Sequence, residues 1–224
     1  MAQLVISGGF DDLRAADVRR LETASKTGDV VVSLWSDEKF LRETGRAPKF
    51  SFAERLYFVS ALRYVKGVVL ADDSTILANS TQPLSSSPRK KILVTGSFDW
   101  LHTGHVRFFE EVSQYGDLYV VVGHDANIRR LKGEGHPLLP QEERRYMAGS
   151  IKFVKQALIS TGHGWLDAEP EIKALKPDIY AVNEDGDQGG KREYCQKLGI
   201  EYLVLKRKPA PGLPTRNSTN LRGF

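Results

Sequence analysis

The sequence predicts an α/β protein built on a parallel sheet with helices on both faces. Short apolar runs alternate with stretches of helical spacing along the chain, which is typical of parallel strands joined by crossover helices. A second observation is an internal repeat, because the first part of the chain recurs at an offset of 88 residues (96 − 8). We therefore predict one such sheet, preceded by a truncated, degenerate copy of the same unit.

The repeat is strongest just after the first predicted strand of each copy. Residues 8–37 and 96–125 are identical at 12 of 30 positions, and the match resumes after one inserted residue. A repeat of this length indicates a duplicated structural unit. Residues 72–90 are rich in Ser, Pro and polar residues, as linkers are, so we expect the first copy to end with its third strand. The predicted boundaries are 1–71 for the degenerate copy, 72–90 for the linker and 91–224 for the complete unit.

Hydrophobic periodicity assigns the individual elements. In the first copy it predicts strands at 3–7, 30–35 and 67–70 and helices at 15–27, 37–43 and 52–63. In the second copy it predicts strands at 92–96, 118–123, 154–160, 178–182 and 201–205. Helices are predicted between them at 104–115, 125–131, 141–151, 167–175 and 191–198. The second copy is therefore expected to form a five-stranded parallel sheet.

Composition and charge restrict the functional classes. The 224 residues are 41% hydrophobic, enough for a substantial core, and the net charge of +4 would suit a polyanionic ligand. No block of Lys and Arg interleaved with aromatic residues stands out, so nucleic acid is not a predicted partner. The single cysteine, Cys195, excludes an internal disulfide and fits a reducing cytoplasm. With no signal-peptide pattern and no run approaching the roughly 20 apolar residues of a membrane helix, we predict a cytoplasmic protein without membrane contact.

The stretch richest in chemical groups is residues 92–105, where a predicted buried strand is followed by a helix. The turn between them contains Gly96, Ser97, Phe98, Asp99, His102, Gly104 and His105. Ligands of open α/β sheets bind at such strand ends, and a helix N-terminus favours anions. Gly104 would let a phosphate approach the backbone, and both imidazoles can donate hydrogen bonds to phosphate oxygens. Zinc ligation by the two histidines would need a third ligand, for which His124 and His136 would have to converge, so no protein metal site is predicted.

This stretch resembles the HxGH signature of the nucleotidyltransferase superfamily, which includes cytidylyltransferases and adenylyltransferases of Rossmann-like fold. Three further stretches follow in the order that the superfamily has. Residues 130–137, with Lys132, resemble the loop of the ADP-heptose-type adenylyltransferases. Residues 141–154, with Arg144, resemble the ethanolamine-phosphate and choline-phosphate cytidylyltransferases. Residues 214–222, with Ser218, Thr219 and Arg222, resemble the ISSTxIR signature, although Asn217 replaces its first serine.

The resemblance implies transfer of a nucleotidyl group from an NTP to a small phosphorylated substrate, with release of pyrophosphate and with Mg²⁺ bound to the nucleotide. His102, His105 and Lys132 would be catalytic, and Ser218, Thr219 and Arg222 would hold the β- and γ-phosphates. Asp185 would read the base or the ribose. Arg144 would lie near the substrate, or it would be structural, because Arg55 matches it in the first copy. We slightly favour CTP; the alternatives are ATP with a sugar phosphate, and a non-catalytic nucleotide-binding module.

The first copy lacks the groups that would bind a triphosphate. The first copy has Arg14 in place of His102, Ala16 in place of Gly104 and Asp17 in place of His105. It also has Thr44 in place of Lys132. We expect this copy to support the second one structurally; the alternative is a site adapted to another ligand. In the superfamily, domains pair through the first half of the fold. The predicted assembly is therefore a monomer with an intramolecular pseudo-dimer, or a homodimer.

Overall fold

The computed structural model describes residues 2–71, 75–79 and 89–221; we call residues 2–79 the first unit and residues 89–221 the second unit. The strands are β1 (Gln3–Gly8), β2 (Asp29–Leu34), β3 (Val65–Leu70), β4 (Ile76–Asn79), β5 (Lys91–Gly96), β6 (Asp117–Val122), β7 (Val154–Ile159), β8 (Ile179–Asn183) and β9 (Glu201–Leu205). The helices are α1 (Ala15–Ser25), α2 (Asp37–Thr44), α3 (Phe52–Ser60), α4 (Thr103–Ser113), α5 (Asp125–Lys132), α6 (Gln141–Gly149), α7 (Glu169–Leu175), α8 (Lys191–Leu198) and α9 (Ser218–Leu221). Each predicted strand and helix is present, with ends that differ by a few residues.

The second unit contains the predicted five-stranded parallel sheet, in the order β7-β6-β5-β8-β9. Alternate residues of β5 face opposite sides, because Ile92 and Val94 belong to one buried cluster and Leu93 to another. Val106 of α4 packs into the first cluster and Ile172 of α7 into the second. Helices therefore cover both faces, and the α/β class is confirmed. The strand order reverses between β5 and β8, and such a reversal opens a crevice at the carboxyl ends of the strands.

The first unit has a four-stranded sheet in the order β1-β2-β3-β4. Its three parallel strands agree with the sequence, but β4 pairs antiparallel with β3, where Val68 lies opposite Ala78. The first sheet therefore has a strand beyond its third one, which the sequence did not predict, and the boundary of the first copy stays a prediction. β4 lies inside the predicted linker and covers the edge of β3. Its four residues have no clear alternation of apolar and polar side chains, so the sequence does not predict a strand there.

Backbone hydrogen bonds join the two units at the turns that follow α3 and α6. The amide of Lys152 donates to the carbonyl of Ala61 over 2.8 Å, and the amide of Arg63 donates to the carbonyl of Ser150 over 3.0 Å. Ala61 and Ser150 occupy matching positions of the repeat, and so do Arg63 and Lys152, because the two members of each pair are 89 residues apart (150 − 61 and 152 − 63). Each bond therefore joins the same two positions with the units exchanged. The same surface of each unit thus meets its counterpart, as in an isologous interface.

Side chains repeat this exchange on the flanking helices. The hydroxyl of Tyr57 on α3 donates to Glu110 on α4 over 2.6 Å. The hydroxyl of Tyr146 on α6 donates to Glu22 on α1, also over 2.6 Å. Tyr57 and Tyr146 occupy matching positions of the repeat, as do Glu22 and Glu110.

No helix within residues 2–71, 75–79 and 89–221 combines the length and the apolar composition that crossing a bilayer requires.

Candidate active site

A cleft of about 340 Å³ lies where β5 and β8 end, at the reversal of strand order. Its walls come from the turn after β5, the start of α4, the end of α5 and the residues that follow β8 and β9. It contains all of the motif residues of the turn except Asp99: Gly96, Ser97, Phe98, His102, Gly104 and His105. Lys132 and Asp185 also line this cleft. The structure thus brings together the residues that the sequence places near a bound nucleotide.

The turn between β5 and α4 has an unusual backbone. Phe98 and Trp100 adopt φ values of 46° and 68°, a region that residues other than glycine seldom occupy. The ring of Phe98 is buried against Phe109, with ring centres 5.2 Å apart. A Cβ on Gly96 would lie 2.9 Å from that ring, so only glycine lets Phe98 pack there. The turn therefore directs the helix start toward the strand end.

His102 is fixed by its own helix start. Its Nδ1 accepts the backbone N–H of Gly104 over 3.1 Å, so the proton of the neutral ring lies on Nε2. That Nε2 is buried and has no hydrogen-bond partner among the described residues. A Cβ on Gly104 would lie 2.9 Å from Cε1 of the same ring. Gly104 thus leaves room for the imidazole, and its predicted contact with a phosphate stays a prediction.

His105 has the same tautomer for the same reason. Its Nδ1 accepts the backbone N–H of His102 over 3.4 Å, which again leaves Nε2 as the donor. The two ring centres are 4.0 Å apart. Burial and the charges of Arg207 and Lys132 lower the pKa of His105 to about 3, and burial and the neighbouring His105 lower the pKa of His102 strongly. Both imidazoles are therefore neutral hydrogen-bond donors at physiological pH.

Two cations lie on opposite sides of the cleft. Lys132 ends α5, and its Nζ donates to the hydroxyl of Ser97 over 2.9 Å. Arg207, which follows β9, donates from Nη2 to the carbonyl of Arg216 over 2.9 Å, and its Nη1 pairs with Asp185. Both cations contribute to the lowered pKa of His105, so both are close to it. The cleft therefore combines two neutral donors with the positive charges of Lys132 and Arg207, which suits a polyphosphate.

The sequence analysis missed Arg207 and Lys191, although both line the cleft. Lys191 begins α8, donates to the carbonyl of Gly186 over 2.9 Å, and has a pKa that burial lowers. A signal was present for Arg207, because Lys206-Arg207-Lys208 directly follows the last parallel strand, whose carboxyl end is expected at the crevice.

Asp99 was predicted to bind nucleotide, and its geometry does not agree. Its carboxylate is buried and accepts the backbone N–H groups of Leu138 and Leu139 at 2.9–3.1 Å. Asp11 accepts the backbone N–H groups of Lys49 and Phe50 in the same way in the first unit. Asp99 therefore anchors the loop after α5. A carboxylate used in this way is not directed at a ligand.

Arg144 was predicted as a substrate or phosphate ligand, with a structural role as the alternative. Its side chain is fully buried, and its guanidinium donates to three carbonyl groups and to Asp125. Arg55 is equally buried in the first unit and makes the same set of contacts, with Asp37 as the carboxylate. This geometry supports the structural alternative, because the arginine at the matching position makes the same contacts in a unit that lacks the two histidines and the lysine.

The last predicted motif is only partly within the described residues. Ser218 begins α9 and is half-buried. The Thr219 side chain and Arg222 lie outside the described residues. Arg216, just before the motif, reaches across to the first unit, where it binds Glu54.

Within the described ranges, no group of three His, Cys, Asp or Glu side chains could hold a metal ion. In the cleft itself, Asp185 is paired with Arg207.

Comparisons with known proteins identify the family. Residues 93–216 match the family model described as cytidylyltransferase-like, and this range covers more than half of the chain. The chain belongs to the cytidylyltransferase-like family. It is therefore a nucleotidyltransferase, and the range that matches the family contains both histidines and both cations of the cleft.

The chain is also similar to individual proteins. The FAD synthase of Ferroglobus placidus is 36% identical over 120 residues, which cover 52% of this chain and 75% of the relative. The bifunctional protein HldE of Aliarcobacter butzleri is 34% identical over 119 residues, which cover 52% of this chain and 24% of the relative. The solved structure of a lipopolysaccharide core biosynthesis protein from Thermoplasma volcanium has 25% identity and a TM-score of 0.45, covering 54% of this chain and 98% of its own.

Proposed function

We propose that the second unit transfers a nucleotidyl group from an NTP to the phosphate of a small phosphorylated substrate. The observation that carries the proposal is the shared tautomer of His102 and His105. Each Nδ1 accepts a backbone N–H, so each Nε2 carries a proton, and both histidines line the cleft. Such donors are held ready for the charge that develops on the α-phosphate.

The reaction needs no covalent enzyme intermediate. An oxygen of the acceptor phosphate attacks the α-phosphorus, and the bond from that phosphorus to the bridging oxygen of the β-phosphate breaks. Pyrophosphate leaves with that oxygen and its electron pair. The protein positions the reactants and stabilises charge, with His102 and His105 at the α-phosphate. Lys132 and Arg207 would bind the other phosphates.

Mg²⁺ is the proposed metal, carried by the nucleotide. The cleft offers hydroxyl, imidazole and cationic groups, and its carboxylate Asp185 is already paired with Arg207. Because Mg²⁺ is usually held by substrate phosphates together with one or two carboxylates, this donor set fits a metal that enters with the NTP. The ion would neutralise phosphate charge during the transfer.

For the donor nucleotide, we place ATP before CTP. Relatives at 34–36% identity are FAD synthases, and the formation of FAD attaches an adenylyl group to a phosphate. The loop at 130–137 points in the same direction. CTP, which the sequence analysis slightly favours, stays as the second candidate, because residues 141–154 resemble cytidylyltransferases.

A pyrophosphate-release assay tests both the proposed nucleotidyl transfer and the choice of ATP over CTP as the donor. ATP and CTP are each supplied with Mg²⁺ and with a panel of acceptors: flavin mononucleotide, sugar phosphates, alditol phosphates and amino-alcohol phosphates. We expect release with ATP and one acceptor class, and none when the acceptor is omitted. Nucleotide binding without pyrophosphate release from any pair would support the non-catalytic alternative and contradict the proposed function.

We also propose that the first unit is a degenerate copy that takes the place of a dimer partner. The paired contacts of Tyr57 with Glu110 and of Tyr146 with Glu22 support this role, because they have the exchanged pattern of a two-fold interface. The full chain is then expected to be a monomer of 25.0 kDa. Light scattering during gel filtration measures this mass, and a stable homodimer would contradict the substitution of a partner by the first unit.

A further inference from the structure

An ion pair connects the first unit to the edge of the cleft. Glu54 on α3 is buried, and its carboxylate accepts two hydrogen bonds from Arg216, at 2.6 Å to Oε1 and 2.8 Å to Oε2. Paired, nearly parallel bonds of this kind fix both side chains in direction as well as in distance. The pair therefore sets the position of a residue of the second unit from a residue of the first.

Glu54 is itself rigidly held. Its Oε2 accepts the backbone N–H and the hydroxyl of Ser51, at 3.1 and 3.0 Å, in a capping box at the start of α3. Burial alone would raise the pKa of Glu54, but hydrogen bonds from Arg216 and Ser51 bring it below its ordinary value. The carboxylate is thus charged at neutral pH and cannot turn away from Arg216.

Arg216 carries this restraint to the cleft. Its carbonyl oxygen accepts Nη2 of Arg207 over 2.9 Å, and it would lie 3.5 Å from a Cβ placed on Gly104. Arg207 lines the cleft, and its charge affects the pKa of both His102 and His105. The chain of contacts from the first unit therefore ends on a cation beside the two histidines.

The segment that holds these arginines has little structure of its own. Between β9 and α9 it forms neither helix nor strand, and one backbone hydrogen bond inside it joins Leu213 to Ala210. A segment with so few internal bonds needs an external contact to hold one position. Glu184 and Asp185 hold the segment at Arg207, and Glu54 holds it near its other end through Arg216, in a contact that is buried, charged and doubly hydrogen-bonded.

We propose that Glu54 is a positioning residue for nucleotidyl transfer in the other unit: through Arg216, it holds Arg207 in place beside His102 and His105. The inference rests on the proposed function and gives the first unit a direct part in that function. It also explains why the first unit retains Glu54 although it has lost the histidines, since the acid acts on the neighbouring site and not on its own.

The principal test compares Glu54→Gln with Glu143→Gln in the full-length protein. Glu143 is the matching residue of α6, and its carboxylate accepts the N–H of Ala15 at 3.5 Å. We expect Glu54→Gln to lower kcat/KM for the NTP by about 10- to 100-fold, the range for losing a hydrogen bond to a charged group. Glu143→Gln should change it less than about threefold. Equal kcat/KM in Glu54→Gln and wild type would overturn the proposal.

A double-mutant cycle separates positioning from general stability. Because Glu54 acts through Arg207, Glu54→Gln should lower kcat/KM by less than about twofold when Arg207 is already Gln. A further tenfold loss in that background would show that Glu54 acts by another route, and would refute the proposal. If Glu54→Gln does not fold, Arg216→Gln breaks the same pair from its partly exposed side and takes its place in the cycle.

Hydrogen exchange gives a readout that does not depend on activity. Amides of residues 206–217 should exchange at least about tenfold faster in Glu54→Gln than in wild type, and at the wild-type rate in Glu143→Gln. Unchanged exchange would contradict the anchoring role even if the enzyme were active. If the variant exchanges faster but the wild-type protein releases no pyrophosphate from any substrate pair, the anchoring role is supported and the proposed function is contradicted. A failure of the anchoring role can therefore be distinguished from a failure of the proposed function.

Discussion

The turns after β1 and β5 have nearly the same backbone and different chemical groups. Phe10 and Asp12 in the first turn have φ values of 50° and 53°, close to those of Phe98 and Trp100 in the second. In the first turn, the carboxylate of Asp17 accepts the backbone N–H of Arg14 over 3.0 Å, as Nδ1 of His105 accepts that of His102. The carboxylate thus replaces the imidazole as helix cap but offers no proton to a ligand. Strained φ values present in both turns therefore belong to the fold and are no mark of catalysis.

The two regions also differ in sheet position. β5 lies between β6 and β8, whereas β1 is at the edge of the described first sheet. The crevice beside β5 exists because the strand order reverses there. The first unit has a cavity of about 300 Å³ at its own strand ends, lined in part by Asp11, Asp17 and Trp35, but without the second wall that β8 supplies. Side chains and topology thus both favour the second unit as the one that binds the nucleotide in the proposed function.

The sharpest test of this comparison changes matching residues in the two turns. His105→Ala should lower kcat by at least about 100-fold, because it removes one donor to the charge of the transition state. Steady-state pyrophosphate release measures the effect. A loss below tenfold would contradict the assignment of His105.

Asp17→Ala is the matched control for this change. Asp17 caps α1, so its removal should cost about 1 kcal/mol of stability and leave kcat within about twofold of wild type. A large loss of kcat in Asp17→Ala, at a temperature where the protein is folded, would mean that the first turn has a chemical role.

The second test compares two cations of α5. Lys132 reaches Ser97 in the cleft, whereas Arg130 is exposed two residues earlier. Lys132→Met should lower kcat/KM for the NTP by about 10- to 100-fold, as expected for a lost hydrogen bond to a charged phosphate. Arg130→Met should leave it unchanged. Equal effects of the two substitutions would indicate that Lys132 contributes only to the general positive potential.

Much of the fold could be predicted because the signals are local or repeated. Apolar periodicity located the parallel strands of both sheets, although not β4, and the repeat showed where a second turn of the same shape would lie. Glycine at positions 96 and 104 was expected near a phosphate, and the structure adds that both glycines make room for aromatic rings of the turn itself. At these two positions, the sequence motif and the packing therefore both favour glycine.

The missed features depend on contacts between distant parts of the chain. Asp99 lies in the turn just before His102, but its hydrogen bonds go to a loop about 40 residues away. Arg207 and Glu54 belong to no motif, and their roles arise from Arg216, which links the two units. A sequence pattern does not encode which of several buried charges will meet, because that depends on how the units pack.

A third test concerns the interface. Tyr57→Phe and Tyr146→Phe each remove one hydrogen bond to a carboxylate, so each should lower the free energy of unfolding by about 1.5 kcal/mol or more. The pseudo-symmetry predicts similar losses from the two changes. Urea denaturation of both variants measures them, and a difference above about 1 kcal/mol would show that the two contacts are not equivalent.

The smallest expected effect is the pH dependence of stability that the low pKa values of the paired histidines cause. This effect again distinguishes the two turns, because the first turn has no histidine. The pKa of His105 in the folded protein, about 3, lies below its ordinary value of 6.5. The unfolded chain therefore binds the proton first as the pH falls, and the folded state loses stability below pH 6.5. Between pH 7.5 and pH 6 this loss is about 0.8 kcal/mol for one such histidine.

His105→Asn should remove this part of the pH dependence, which urea denaturation at the two pH values would measure. Since kcat/KM reports ionisations of the free enzyme and of the free substrates, its pH profile should show no acid limb near 6.5 beyond that of the substrate phosphates, which titrate near about 6. Such a limb, absent from His105→Asn, would mean that the imidazole is solvated and charged, contrary to its role as a fixed neutral donor.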